Sequence, residues 1–211
     1  RPARLRSTPS ADRSGLRAAS DKSGLVSLKF GTDGVRGLAN GELTPELALT
    51  LGRSAARVLG GGTWFIGRDT RRSGPLLAAA LAAGLSSEGV DVVDLGVVST
   101  PGVAHLSAVD GVCAAMISAS HNPFADNGIK LFGPGGIKLD DPTEDRLEAD
   151  LERLEAEGIP GSATRPSGER VGLLRSSPDA GDAYARHLID DVLEGRRLSG
   201  LTVAIDCAHG A

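Results

Sequence analysis

Cysteine is scarce in this 211-residue sequence, with Cys113 and Cys207 its two members. Two distant thiols cannot build a disulfide scaffold, and no Cys/His spacing of the zinc-binding kind is present. Both lie in apolar segments, which reads as a pair of buried, reduced thiols in a cytoplasmic protein. No run of 18 apolar residues occurs, so no helix is expected to span a membrane and no membrane partner is expected. No signal peptide is recognisable, and missing heptads exclude a coiled coil. Glycine is abundant at 29 residues, yet it lacks the three-residue period of collagen, and with 11 prolines it stays below the share that marks low-complexity disorder. What remains is a folded chain of one to two domains, at roughly 150 residues each. Methionine occurs once, at Met116, and residue 1 is Arg, so the chain is expected to be a fragment or a processed form.

A strongly basic body is also lacking, which argues against nucleic acid as a partner. The formal net charge is −4, and the basic residues Arg1, Arg4, Arg6, Arg13, Arg17 and Lys22 are concentrated in the first stretch of the chain. Residues 1–26 are read as a basic, disordered extension, because Pro2, Pro9 and Gly15 interrupt any amphipathic transit helix. An acidic body still permits a small phosphorylated ligand held by one or two arginines.

From Leu28 onwards strands and helices alternate. Thr44-Pro45-Glu46 reads as an N-cap and first helical turn, followed by Leu47, Leu51, Ala55 and Val58 at helical spacing until Gly60. Thr63–Ile66 is a short strand, Ser73-Gly74-Pro75 opens an alanine-rich helix to about Ser87, and Val90–Leu95 is the next strand. Val112–Ile117 is too short and apolar for a typical helix and reads as a buried strand. Gly128–Phe132 and Gly136–Leu139 flank the turn Gly133-Pro134-Gly135 as a hairpin. A charged helix runs from Asp141 to about Glu157 with Leu147, Leu151 and Leu154 as its apolar stripe. Gly158–Pro178 has linker composition, with a strand possible at Val171–Leu174. Ala180–Leu193 is a helix and Leu201–Asp206 a strand. This alternation implies an α/β architecture with a parallel or mixed sheet.

Three segments concentrate polar residues where such folds place ligands. In Phe30-Gly31-Thr32-Asp33-Gly34-Val35-Arg36-Gly37, glycines expose backbone amides and Arg36 offers a planar fork for phosphate; a turn with a surface arginine is the alternative. Gly67-Arg68-Asp69-Thr70-Arg71-Arg72-Ser73-Gly74 places arginines near a helix start, suited to an anion or to a loop braced by an Asp69–arginine pair. Ile117-Ser118-Ala119-Ser120-His121-Asn122-Pro123, followed by Asp126-Asn127-Gly128-Ile129-Lys130, delivers hydroxyls and donors to a strand exit. That is a nucleophile site or an Asn-Pro turn capped by serines. Adjacent Ser120 and His121 in an extended segment point to opposite sides, so they are not expected to form a dyad. His105 and His187 are read as ordinary helix residues.

Taken in order, the three segments resemble the α-D-phosphohexomutase superfamily, and most closely its bacterial branch that interconverts glucosamine 6-phosphate and glucosamine 1-phosphate. The resemblance runs from about Leu28 to Ala211. It implies a three-layer α/β/α domain with a mixed sheet over residues 27–178 (phosphohexomutase domain I), and over 179–211 a linking helix with the truncated first strand of a second, similar domain. It implies that Ser120 carries a phosphoryl group, with Ser118 as the small hydroxyl residue two positions earlier, Arg36 near the phosphoserine, Lys130 as general acid or base, and His121 and Asn122 shaping the loop. Mg²⁺ is implied as cofactor, held by the phosphate on Ser120 and by aspartates of an Asp-Gly-Asp-x-Asp-Arg loop beyond Ala211. The partners implied are a small hexosamine phosphate, converted through a 1,6-bisphosphate, and domains II–IV of the same chain, without which this piece is expected to be inactive. Glucose or mannose phosphates, or sugar-phosphate binding without catalysis, are the alternatives. His209 departs from the asparagine common at that place. The glycine excess is expected to lie in loops that approach phosphate.

Overall fold

The computed structural model describes residues 34–157, 165–197, 199–206 and Gly210. The extension 1–26, Phe30 to Asp33 of the first motif, Cys207 and His209 lie outside the described residues. The strands are β1 (Val35–Leu38), β2 (Thr63–Arg68), β3 (Asp91–Val97), β4 (Cys113–Ile117), β5 (Asp126–Gly133), β6 (Ile137–Lys138) and β7 (Leu174–Ser176). They form a sheet in the order β1-β5-β4-β2-β3-β7, with β6 paired to β5. Pairs among β2, β3, β4 and β7 are parallel, whereas β5 runs antiparallel to β1, β4 and β6. The sheet is mixed, as the sequence implies.

Helices α1 (Pro45–Leu59), α2 (Gly74–Ser87), α3 (Thr100–Asp110), α4 (Asp141–Glu157) and α5 (Ala180–His187) cover both faces. The sequence signals for the two ends of α1 are realised, its stop falling at Gly60. Thr44 Oγ1 accepts from Leu47 N–H at 3.3 Å at the start of α1, where Pro45 needs no partner for its missing N–H. Gly111 ends α3 in the left-handed region at φ 65°. Helix α4 begins at Asp141 as expected, and Asp140 caps it: its Oδ1 accepts from Thr143 N–H at 3.0 Å, and the hydrogen bonds from Thr143 hold its carboxyl below the usual carboxylate range.

Because strand side chains alternate, the central strands feed two cores. Trp64, Ile66, Cys113, Ala115, Ile117, Ile129 and Leu131 face one side, against α1, α2 and α4, where the predicted Leu147 and Leu151 join them. Phe65, Ala114, Met116 and Phe132 face the other, with Val103 of α3 and Ala180 of α5. This is a three-layer α/β/α domain. In that alternation Lys130, between Ile129 and Leu131, falls on the α3 side.

Helices α1 and α2 touch through glycine. A Cβ on Gly52 would lie 2.3 Å from Leu81 O, and one on Gly84 would lie 2.1 Å from Leu49 O. These mid-helix glycines serve backbone contact between helices, so the glycine excess is in part a packing requirement and not a phosphate-loop feature.

Two elements differ from the sequence expectation. The strand in the linker-like region lies at Leu174–Ser176 rather than Val171–Leu174, and it extends the sheet edge beside β3. Leu201–Asp206 is not a strand, and Leu201, Val203 and Ile205 are exposed. Alternation alone does not make a strand: backbone N–H and C=O groups need a neighbouring ladder, and no described residue offers one. Helix α5 continues as expected, through one π-helical turn, Leu188–Val192. No described helix is long and apolar enough to cross a membrane.

Cys113 is buried, and burial pushes its thiol up to about 11. At pH 8 it is expected to resist iodoacetamide in the native protein and to react within minutes in denaturant; equal labelling rates by mass spectrometry would contradict this placement. Gly84→Ala is expected to lower unfolding free energy by about 1–3 kcal/mol through overpacking, although alanine is the better helix former. Urea denaturation followed by circular dichroism measures it.

Candidate active site

The site lies at the carboxyl ends of parallel strands β2 and β4, where α/β folds present ligands. Past Ile117 the chain leaves the sheet: Ser118 N–H donates to Gly128 O, and Ala119 is fully buried while Ser120 is exposed. Ser120 has φ 54°, a left-handed conformation unusual for serine. The segment is a turn, so the strand alternation expected for Ser120 and His121 does not apply. Ser120 Oγ lies 3.5 Å from His121 Nδ1, adjacent but too long for the hydrogen bond of a working nucleophile–base pair.

The turn is held from beneath by a buried arginine. Arg71 is 1% exposed. Its guanidinium donates to the carbonyls of Ser120 (2.7 Å), Asn122 (2.9 Å), Pro123 (2.5 Å) and Asp126 (3.0 Å). Its Nε donates to Asp69 Oδ2 at 3.0 Å, and its backbone N–H to Asp69 Oδ1 at 3.1 Å. Ser118 Oγ donates to the same Asp69 Oδ2 at 2.7 Å and accepts from Ser120 N–H at 2.9 Å. The loop is laced further by Asn122 Nδ2 to Asp126 Oδ2 at 3.1 Å. Buried Asn127 bonds Ser73 Oγ at 2.9 Å and the Gly128 N–H at 2.8 Å. Of the two readings open for the second segment, the Asp69–Arg71 pair follows the braced loop. Nothing in the sequence motif identified Arg71 as the partner of the serine loop; an Asp-x-Arg directly after a strand end was the available signal.

Arg36, Thr100, Met116, Ser118, Ser120 and Lys130 line one open cavity of about 230 Å³. Strand register explains the assembly. Arg36 on β1 is opposite Gly128, and Lys130 is opposite Met116. Gly128 is required there, because a Cβ would sit 2.7 Å from Ser118 O and 2.9 Å from Arg36 Cγ. Lys130 Nζ stands 5.8 Å from the Phe132 ring centroid, a cation–π distance. Thr100 opens α3, whose amino terminus adds partial positive charge. The expected residues Arg36, Ser120 and Lys130 are thus brought together, with Ser118 among them, while His121 is exposed beside the serine and outside the lining. An exposed hydroxyl flanked by two cations and a helix start is suited to carry or receive a phosphoryl group.

The unmodified residues do not fit Mg²⁺. That ion takes carboxylate, carbonyl and phosphate oxygens, whereas this lining presents hydroxyls and cations, and Asp69 is engaged by Arg71 and Ser118. Among the described residues no three His, Cys, Asp or Glu side chains converge on a metal-sized site. A phosphoryl group on Ser120 would provide the first suitable oxygens.

Fold and site together define a phosphohexomutase first domain. Residues 27–157 match the family model described as phosphoglucomutase/phosphomannomutase, alpha/beta/alpha domain I, and the chain belongs to that family. Its curated relatives include the phosphoglucosamine mutase of Symbiobacterium thermophilum, 56% identical over 192 residues. That of Mycolicibacterium paratuberculosis is 54% identical over 189 residues. In both cases the alignment takes in 86% of this chain and 40% of the relative, so the chain spans about two fifths of those proteins. A crystal structure of a phosphoglucomutase/phosphomannomutase family protein from Burkholderia thailandensis superposes with a TM-score of 0.62 at 28% identity, covering 78% of this chain and 36% of that one.

Replacing Arg71 with methionine leaves Asp69 charged and buried and the loop carbonyls without their donor. Arg71→Met is expected to cost about 3–5 kcal/mol of unfolding free energy. A urea midpoint giving less than about 1 kcal/mol would show that the loop is held by other means.

Proposed function

We propose that this chain is the nucleophile-bearing domain of a phosphoglucosamine mutase, in which Ser120 carries the transferable phosphoryl group. The observation that carries the reading is one exposed serine at a left-handed turn, sharing its cavity with Arg36 and Lys130. The relatives at 52–56% identity, all named phosphoglucosamine mutase, support glucosamine phosphate over other hexose phosphates as substrate.

In the forward direction, phosphoserine gives its phosphoryl group to the free hydroxyl at C1 of glucosamine 6-phosphate. The Ser120 Oγ–P bond breaks, a sugar O–P bond forms, the sugar hydroxyl loses its proton and Ser120 Oγ gains one. The resulting 1,6-bisphosphate turns over and returns its 6-phosphoryl group to Ser120, leaving glucosamine 1-phosphate. Electrons and atoms balance without a redox partner. Arg36 offers a fork of N–H donors to the phosphoryl oxygens, Lys130 holds or supplies the proton and screens the charge, and His121 and Asn122 maintain the loop. A phosphoryl group on Ser120 would offer oxygens to Mg²⁺, and the ion would supply charge neutralisation at that group. Residues 27–178 form the domain in this reading, supported by the pairing of β7 with β3, and 179–211 lead onward. A cytoplasmic setting accords with a sugar-phosphate substrate and the buried thiol Cys113.

The intact protein carrying this sequence is the material for the test. Ser120→Ala is expected to reduce conversion of glucosamine 6-phosphate by at least about a thousandfold, with kcat rather than KM carrying the loss. Phosphopeptide mapping of the unsubstituted protein is expected to find phosphate on Ser120. Turnover by Ser120→Ala within tenfold of the unsubstituted protein would refute the role, and a higher kcat/KM for glucose or mannose 6-phosphate would refute the sugar.

A further inference from the structure

Ser118 and Ser120 are two hydroxyls of one cavity, yet their hydrogen bonds are not equivalent. The Ser118 proton is directed to Asp69 Oδ2 at 2.7 Å, and its oxygen accepts from Ser120 N–H at 2.9 Å. Asp69 is fixed in turn by two bonds from Arg71, the residue that also grips the carbonyl of Ser120. Ser120 is therefore held at its amide by Ser118 and at its carbonyl by Arg71, one group on each side of its left-handed Cα. An alkoxide on Ser118 would stand 2.7 Å from a buried carboxylate, and like charges at that distance oppose its ionisation. Ser120 Oγ has no such neighbour among its hydrogen-bond partners; the nearest is His121 Nδ1 at 3.5 Å.

We propose that Arg71 and Asp69, acting through the Ser118 hydroxyl, form a positioning device. It locks the backbone of Ser120 so that Oγ faces the cavity, and it withholds Ser118 from the phosphoryl group. Selection between two serines in the same site is thus made by hydrogen-bond direction rather than by access. The inference rests on Ser120 being the phosphoryl carrier. Asp69, Arg71 and Ser118 are positioning residues and not catalytic ones.

The test loads the dephosphorylated intact protein with glucose 1,6-bisphosphate and Mg²⁺ and follows phosphate by site-resolved mass spectrometry. Loading breaks one P–O bond of the donor, forms the serine O–P bond, and releases a hexose monophosphate that takes up the serine proton. Ser118→Ala is expected to slow loading of Ser120 by about 10- to 100-fold, the range that a small misplacement of reacting atoms produces. Its thermal midpoint is expected to stay within about 3 °C of the unsubstituted protein, because Arg71 still pairs with Asp69 and the freed Ser120 amide reaches water. Ser118→Thr, which keeps the hydroxyl, is expected to restore loading to within about threefold. Asp69→Asn gives an independent arm, since its amide keeps the shape but not the charge, and part of the phosphate is expected on Ser118. Ser120 loading at the unsubstituted rate in Ser118→Ala, or phosphate confined to Ser120 at that rate in Asp69→Asn, overturns the inference while leaving the Ser120 role intact. Absence of phosphate from Ser120 in the unsubstituted protein overturns that role and the inference together.

Discussion

One buried guanidinium organises the site. Arg71 replaces the ladder that the chain loses when it leaves β4, giving N–H donors to four carbonyls of one loop, those of Ser120, Asn122, Pro123 and Asp126. Its own charge is balanced by Asp69, which stands directly past the end of β2. The planar fork matters, because a lysine in its place would present one point of attachment instead of several fixed directions. The cost of burying charge is met by complete hydrogen bonding. In consequence an exposed loop rich in small polar residues keeps one shape.

That pair works only because the sheet brings its members together. Asp69 N–H bonds Ile117 O across the β2–β4 boundary, so the two loop bases are laced before any side chain acts. Strand β5, inserted antiparallel between β4 and β1, then places Lys130 and Arg36 on the α3 side. The two-sided burial of β4 leaves no freedom in this arrangement. A register slip of one residue would exchange Met116 with its neighbours, whose side chains fill the opposite core.

Much of this was legible in the sequence. Thr44-Pro45-Glu46, the leucines of α4 and the glycines of the β5–β6 turn mark local structure, and local signals survive in tertiary context. Of the residues that the motifs singled out, Arg36, Ser118, Ser120 and Lys130 line one cavity, whereas His121 and Asn122 lie outside its lining. What could not be read were relations between distant residues. Arg71 reaches partners about fifty positions away, and no periodicity encodes that. The left-handed turn at Ser120 was hidden because serine is not a residue whose presence announces positive φ. The roles of Gly52 and Gly84 were hidden for a similar reason, since mid-helix glycine reads as a weakness until the neighbouring helix is seen. Leu201–Asp206 shows the converse, an alternating pattern without a ladder.

The backbone angle at Ser120 also bears on which residue types can occupy that place. Threonine has the same hydroxyl and similar acidity, and by chemistry alone it is an acceptable phosphoryl carrier. A β-branched side chain at φ 54° is a steric outlier, however. The turn therefore selects among hydroxyl residues by shape before reactivity enters, and disfavours threonine at Ser120 on backbone grounds alone.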